Sequence, residues 1–396
     1  MPTVSFGLTQ ALLTGTDLET RMVEVSGLSG DTLSYYDDNR WLTQGSVAEY
    51  VRMIPVVPGH LSRPYHEAAS QQRIWLVNGQ SFSGQWTGTR SNGEVIEWAH
   101  PELGRFAFGL DNVRLLRLSS SSLNLGRVLT DPPDSDTVYF VNGDQITGFV
   151  ITVSQDSVVL IPDGGDNEIG FPVSNIAAVQ FANPPIESAN EGDTVVLRDG
   201  SRFSAKGLNI QGDLITLSPT LSPMDAAVEL TLNQVMAIEF SASGLKLDNL
   251  YRQPQEVLSG GAVFGSDWVP GQEQGGFGMH APVTVKFSLP SGTQRFSTQA
   301  RLNLPEGLPR ERAVLADVEL RVYLDGLDTT PIVEARLDAE NPQAPINVVL
   351  EPGHEALIIE LDPADNGPIL DRVLLKGGQL LIEAPRPRPG TGDATR

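Results

Sequence analysis

Apolar and polar residues alternate along most of this chain in short runs, the period of a half-buried β-strand. Asp136–Phe140 (DTVYF) and Asp193–Leu197 (DTVVL) are typical: brief, β-branched, and bounded by Gly, Asp or Pro. No long stretch keeps the apolar spacing near 3.6 that a helical repeat needs, so the pattern predicts an all-β protein with little helix.

The runs recur. Ile74–Trp86 (IWLVNGQSFSGQW), Val138–Val150 (VYFVNGDQITGFV) and Val195–Gly207 (VVLRDGSRFSAKG) superpose as strand, turn and strand. Asn-Gly or Asp-Gly between β-rich runs predicts a type I′ hairpin, because both residues tolerate positive φ. Phe82, Ile146 and Phe203 each fall three residues after the turn glycine and are expected to point inward. Runs beginning at Glu94, Asp156 and Asp213 supply a third strand. Each copy closes on a nine-residue signature, at Leu110–Leu118 (LDNVRLLRL), Val173–Phe181 (VSNIAAVQF) and Leu232–Phe240 (LNQVMAIEF). The same ending occurs at Val47–Pro55, after Asp31–Tyr35, and marks a divergent first copy without the Asn-Gly hairpin.

Closing signatures start at 47, 110, 173 and 232, giving spacings of 63, 63 and 59 residues. Units of that size bury a limited core alone, so neighbouring copies are expected to pack together. In length and strand count they resemble the Sm-like or SH3-like roll, tandem forms of which occur in bacterial surface and periplasmic proteins. The expected boundaries are 1–58, 71–120, 135–183 and 192–243, with linkers at 55–70, 119–135 and 183–192. The last residues, 385–396, read as a disordered tail.

Composition narrows the chemistry. The 396 residues carry 49 acidic and 27 basic side chains, a formal charge of −22, which repels nucleic acid unless a basic patch is present. Cysteine is absent, removing disulfides, thiolate nucleophiles and cysteine-held metals together. No apolar run is long enough to span a bilayer. His66-Glu67 and His354-Glu355 lack the second histidine of a zinc hydrolase motif, and no nucleophile elbow or phosphate loop occurs in a strand-to-helix setting. The chain is expected not to be an enzyme and to need no cofactor. Structural calcium stays open at two acidic loops, Asp163–Glu168 and Asp362–Gly367. Trp75, Trp86 and Trp98, three of the five tryptophans, are expected mainly in the core of the second copy, with a stacking platform as the alternative.

From Glu256 the strands lengthen. Gly275–Pro290 (GGFGMHAPVTVKFSLP) leads into Gln294–Leu302, followed by Ala316–Gly326 (ADVELRVYLDG) and Ala356–Leu361 (ALIIEL). These segments resemble the NPCBM family of carbohydrate-binding modules over about 257–383, within an expected domain of 256–384. The resemblance implies a galactose-binding-like jelly-roll β-sandwich that contacts glycan outside the cytoplasm. Family members typically end near a His-x-Asp-Trp run. Here Ile369–Leu375 keeps Asp371 but has Arg372 in place of the aromatic. Trp268, His280, Tyr323 and Asp325, with Asp371 and Arg372, are the candidate ligand residues. The competing assignment makes His280 a strand anchor, Tyr323 core and Asp325 a turn former.

The sequence therefore predicts four tandem small barrels, as stalk or platform, followed by a sandwich that binds glycan or a surface partner. The expected location is extracellular, cell-surface or periplasmic. The alternative is a structural subunit whose modules serve as protein–protein surfaces in a homo-oligomer, filament or coat.

Overall fold

The computed structural model describes residues 9–37, 39–56, 72–119, 133–186, 192–220, 227–260, 262–263, 266–273 and 275–384. The expected tail and much of each expected linker lie outside these. The described chain is nearly all antiparallel β-structure, with short 3-10 turns and a four-residue helix, Arg310–Ala313. No helix among the described residues is long and apolar enough to cross a membrane. Two compact units form: residues up to Leu13 with Arg21–Ser243, and Thr14–Thr20 with Gly244–Ala384.

In the first unit each repeat has five strands. The third copy shows the plan: Asp136–Phe140, Gln145–Val153, Ser157–Pro162, Ile169–Pro172 and Ile176–Gln180. They pair in the order fifth, first, second, third, fourth, and the other copies repeat that order. The fourth strand is the one the sequence pattern conceals, because Ile169–Pro172 (IGFP) is too short to show alternation. The second strand serves both neighbours. Its first half pairs with the first strand and its second half with the third, and a register shift interrupts the latter pairing, between Trp86 and Gly88 in the second copy and between Val150 and Thr152 in the third.

The first hairpin differs from expectation in its turn. In all three Asn-Gly or Asp-Gly copies only the glycine has positive φ: +81° at Gly79, +92° at Gly143 and +84° at Gly200. The glycine N–H reaches back to Leu76, Phe140 or Leu197, and those residues bond to Gln80, Asp144 or Ser201. This is a three-residue loop with a left-handed glycine, not a type I′ turn. The preceding Asn or Asp side chain accepts from the N–H two residues on, at 3.1, 3.1 and 2.8 Å. Carboxamide and carboxylate serve this purpose equally, which explains the mixed motif. The first copy has the same turn without the motif. Leu18 takes φ +64°, Asp17 accepts from Glu19 N–H at 2.9 Å, and Gly15 and Leu18 bond as their counterparts do. A left-handed leucine costs about 1–2 kcal/mol, offset here by burial of its side chain.

A 3-10 turn opens the closing signature at Val47–Glu49, Leu110–Asn112 and Val173–Asn175. The closing strands then join copies pairwise. Leu116 lies opposite Val179, and Met53 opposite Ile238. All four are the seventh residue of their signature, so both pairings run through the same position with twofold symmetry. Side chains from all four copies share one core. Phe82 and Phe203 point inward as expected and are fully buried, whereas Ile146 is only half-buried.

The second unit has a two-stranded ladder, Ala262–Val263 with Ser266–Asp267, and two larger antiparallel sheets over one core. One contains Gly271–Glu273, Gly276–His280, Arg372–Glu383, Thr293–Leu302 and Gln343–Val349, with Leu245–Asn249 also on Arg372–Glu383. The other orders Gln255–Gly260, Val283–Ser288, Ala356–Asp362, Asp317–Leu324 and Val333–Asp338. The inward residues are aliphatic and aromatic, among them Phe277, Phe287, Phe296 and Leu320.

Candidate functional site

The six candidate residues divide among three places. Trp268, His280 and Arg372 come together, Tyr323 and Asp325 lie apart, and Asp371 turns into the protein.

His280 ends the strand Gly276–His280 and sits directly opposite Arg372, the first residue of Arg372–Glu383. Its ring lies 5.9 Å from the Trp268 ring at an interplanar angle of 58°, and the Arg372 guanidinium lies 5.7 Å from the centre of that indole. Arg372 is held there by Glu273, with Nη2 donating at 2.6 Å. A cation over an indole contributes about 0.5–2 kcal/mol, and the carboxylate fixes its orientation. His280 Nδ1 donates to the Ala281 carbonyl at 2.8 Å, which leaves Nε2 as the ring acceptor. Trp268, His280, Arg372 and Glu273 are all partly exposed. Glu273 is the member sequence reasoning missed. Its signal was Gly278, whose absent side chain makes room for it: a Cβ there would run into the Glu273 carboxylate. Gly278→Ala is therefore expected to displace Glu273 and free Arg372, weakening any ligand at this cluster while the unfolding midpoint stays within a few degrees.

Tyr323 is buried, as its core assignment requires, and donates to Glu360 Oε2 at 2.8 Å. Burial and that carboxylate push its phenol above the usual range. Asp325 holds φ +62° and accepts from Glu355 and Ala356 N–H at 2.8 and 3.0 Å, while its other oxygen meets His354 Nδ1 at 2.7 Å. Burial alone would raise its carboxyl, but His354 and the two N–H donors lower it. It forms the turn. Asp371 is fully buried: Oδ1 accepts from Asp317 N–H at 3.0 Å, and Oδ2 has no partner. Burial and the nearby Asp317 charge push this carboxyl up to about 7.

The acidic loops do not gather three carboxylates; Asp163 accepts from Ser135 and Asp365 pairs with Arg336. Among the described residues the group that does converge is His100, Glu102 and Asp199, in the first unit. His100 Nδ1 accepts from Glu102 and Leu103 N–H, both at 3.1 Å, so the ring proton lies on Nε2. Nε2 faces Asp199 Oδ2 at 2.9 Å and Ser201 Oγ at 3.0 Å. Ser83 donates to Asp199 and accepts from the Ser201 hydroxyl at 3.0 Å. Although Ser, His and Asp meet here, carboxylate and hydroxyl share one nitrogen, so the imidazole cannot relay a proton between them as an acyl-transfer triad does. With Nδ1 facing two N–H donors and Nε2 protonated, neither nitrogen offers a lone pair to a metal. The group ties the second copy to the fourth. Of the tryptophans, Trp98 is fully buried, with Nε1 donating to the Ser83 carbonyl at 3.2 Å, and Trp75 and Trp86 are half-buried.

No family model matches the chain, and no curated protein matches it. Several solved structures are distantly similar. The CBM51-2 and INT domains of Clostridium perfringens ZmpB are 16% identical, over 48% of this chain and 43% of that one, with a TM-score of 0.25. The CBM51 of a Clostridium perfringens GH95, in complex with methyl-galactose, is 16% identical over 34% of this chain and 92% of that one, at 0.22. The tandem CBM51 modules of Sp3GH98 from Streptococcus pneumoniae are 12% identical over 94% and 88%, at 0.22. These scores fall below the level of a shared overall fold.

Proposed function

We propose that the second unit is a jelly-roll-like sandwich that binds a neutral glycan at the cluster of Trp268, His280, Arg372 and Glu273. The observation that carries this reading is the convergence of one half-exposed indole with three oriented polar groups. A pyranose presents an apolar face of C–H groups and a ring of hydroxyls, each both donor and acceptor. The indole face not covered by Arg372 meets the first; Arg372 donates to hydroxyls, and Glu273 and His280 Nε2 accept from them. Arg372 thus replaces the family's aromatic without removing the stacking surface, which Trp268 supplies. In this reading Tyr323 and Asp325 are structural, and the first unit is a platform of four SH3-like or Sm-like barrels. The whole is a non-catalytic protein of the cell exterior.

Glycan-array binding followed by calorimetry on the best hit tests it. Trp268→Ala and Arg372→Ala are each expected to weaken binding at least about tenfold, the loss of about 1.4 kcal/mol of contact. Binding that survives both substitutions would move the site elsewhere.

A further inference from the structure

The outer edge of the first hairpin is already an interface inside this chain. Strand Ser81–Arg90 of the second copy meets strand Arg202–Gln211 of the fourth through Ser81 and Arg202. Each is the second residue after its turn glycine, so this contact too has approximate twofold symmetry. Phe82 and Phe203, the next residues, stack across it with centroids 6.0 Å apart. Around them lie the His100, Ser83, Asp199 and Ser201 hydrogen bonds, and Arg73 donates to the Gly200 carbonyl. The copies are thus joined in the order first, fourth, second, third, by closing strands, then hairpins, then closing strands.

Among the described residues, the third copy ends that row with its hairpin edge open. Gln145 occupies the position of Ser81 and Arg202 and is exposed, as are Asn142, Gly143, Asp144 and Thr147. Of the counterparts in the joined copies, Gln80, Ser81, Ser83, Ser201 and Ser204 are buried and Asn78, Asp199, Gly200 and Arg202 are half-buried, with Gly79 alone exposed. Ile146, in register with the stacked phenylalanines, stays half-buried. Phe149 is 68% exposed, where the joined copies carry polar Gln85 and Lys206. Of the three copies with the Asn-Gly or Asp-Gly turn, only the third carries an aromatic at this position. The Thr147 carbonyl is occupied by Asp163 N–H, just as that of Ser204 is by Thr220 in the joined fourth copy, so this bond does not close the edge.

We propose that this edge docks on the same edge of a second copy of the chain, Gln145 against Gln145 about a twofold axis, making the protein a homodimer. The partner is a second copy because the interface already exists in self-complementary form between the second and fourth repeats. The side chains support the exchange. Asn142 stands where Asp199 does and Thr147 where Ser83 does, so the crossed Asp199–Ser83 bond becomes Asn142–Thr147, made twice. Ile146 meets Ile146 in place of the phenylalanine pair, and Phe149 is covered at the rim. An unpaired strand edge flanked by exposed apolar side chains is the kind of surface that pairs with another chain.

Sedimentation velocity on the full chain over a concentration series tests this. The expected result is a monomer–dimer equilibrium. Gln145→Lys places like charges opposite each other and is expected to weaken it at least about tenfold. Gln145→Glu does the same, and an equal mixture of the two variants restores the dimer. Phe149→Ser is expected to weaken association with the unfolding midpoint unchanged, and it serves if a Gln145 variant fails to fold. A chain that stays monomeric throughout, a dimer indifferent to Gln145→Lys and Phe149→Ser, or charge variants that do not recombine would each overturn the proposal.

Discussion

His100→Ala is expected to lower the stability of the first unit by about 2–4 kcal/mol, the cost of leaving buried hydrogen-bonding groups unpaired and a cavity behind. The imidazole is fully buried, and each of its nitrogens has a defined role. Removing it strips an acceptor from the Glu102 and Leu103 N–H groups and a donor from Asp199, and it leaves a cavity beside Phe106, whose ring centre is 6.5 Å from the imidazole. Because Asp199 and Ser201 belong to the fourth copy and His100 to the second, the loss is felt by both. A double-mutant cycle of His100→Ala with Asp199→Ala in urea is expected to show coupling of about 1–3 kcal/mol. The pH dependence has a fixed sign. Burial alone would raise the Asp199 carboxyl, but hydrogen bonds from His100, Ser83 and the Ser201 N–H hold it well below its ordinary 3.8. Its contribution is complete above that value and is lost as the pH falls further. Independent, additive losses at the two positions would show that the copies are not joined through this group.

That network illustrates what a one-dimensional reading omits. Periodicity reveals strands, and recurring turns reveal repeats, because both are written within a few residues. The four copies, their closing signatures and the inward Phe82 and Phe203 were all legible this way. His100 and Asp199 lie 99 residues apart, and nothing local marks either as the other's partner. The pairing of first copy with fourth was equally hidden, since it depends on which Met53-type position finds a complementary edge. Asp17-Leu18 escaped notice for a different reason. A left-handed leucine is unfavourable alone and is chosen only because the surrounding fold buries it. At the candidate site, Trp268, His280 and Arg372 were visible as residue types able to hold a sugar. Their convergence was not, and Glu273, one acid among 49, had only the glycine at 278 to announce it.

Asp371→Asn is expected to stabilise the second unit at pH 8 by a few kcal/mol and to leave it unchanged near pH 4. The carboxyl is wholly enclosed, one oxygen takes an N–H from Asp317, and the other has no partner. Its neighbour Asp317 pairs with Arg336, with Nε–Oδ1 at 2.7 Å, so a second negative charge beside it is unwelcome. Burial and this repulsion raise the folded group from 3.8 to about 7. A raised carboxyl favours folding while it is protonated. Its contribution is therefore complete below about pH 4, declines by about 1.4 kcal/mol per pH unit as the pH rises, and is gone above about 7. Asparagine keeps the acceptor for Asp317 and the shape of the group but never acquires charge, so the decline should vanish. Thermal unfolding of both proteins between pH 4 and 8 reads this as two midpoints that coincide in acid and separate with rising pH. Curves that stay parallel would mean that Asp371 is ionised in the fold at neutral pH, its second oxygen held by a partner that offsets both burial and Asp317.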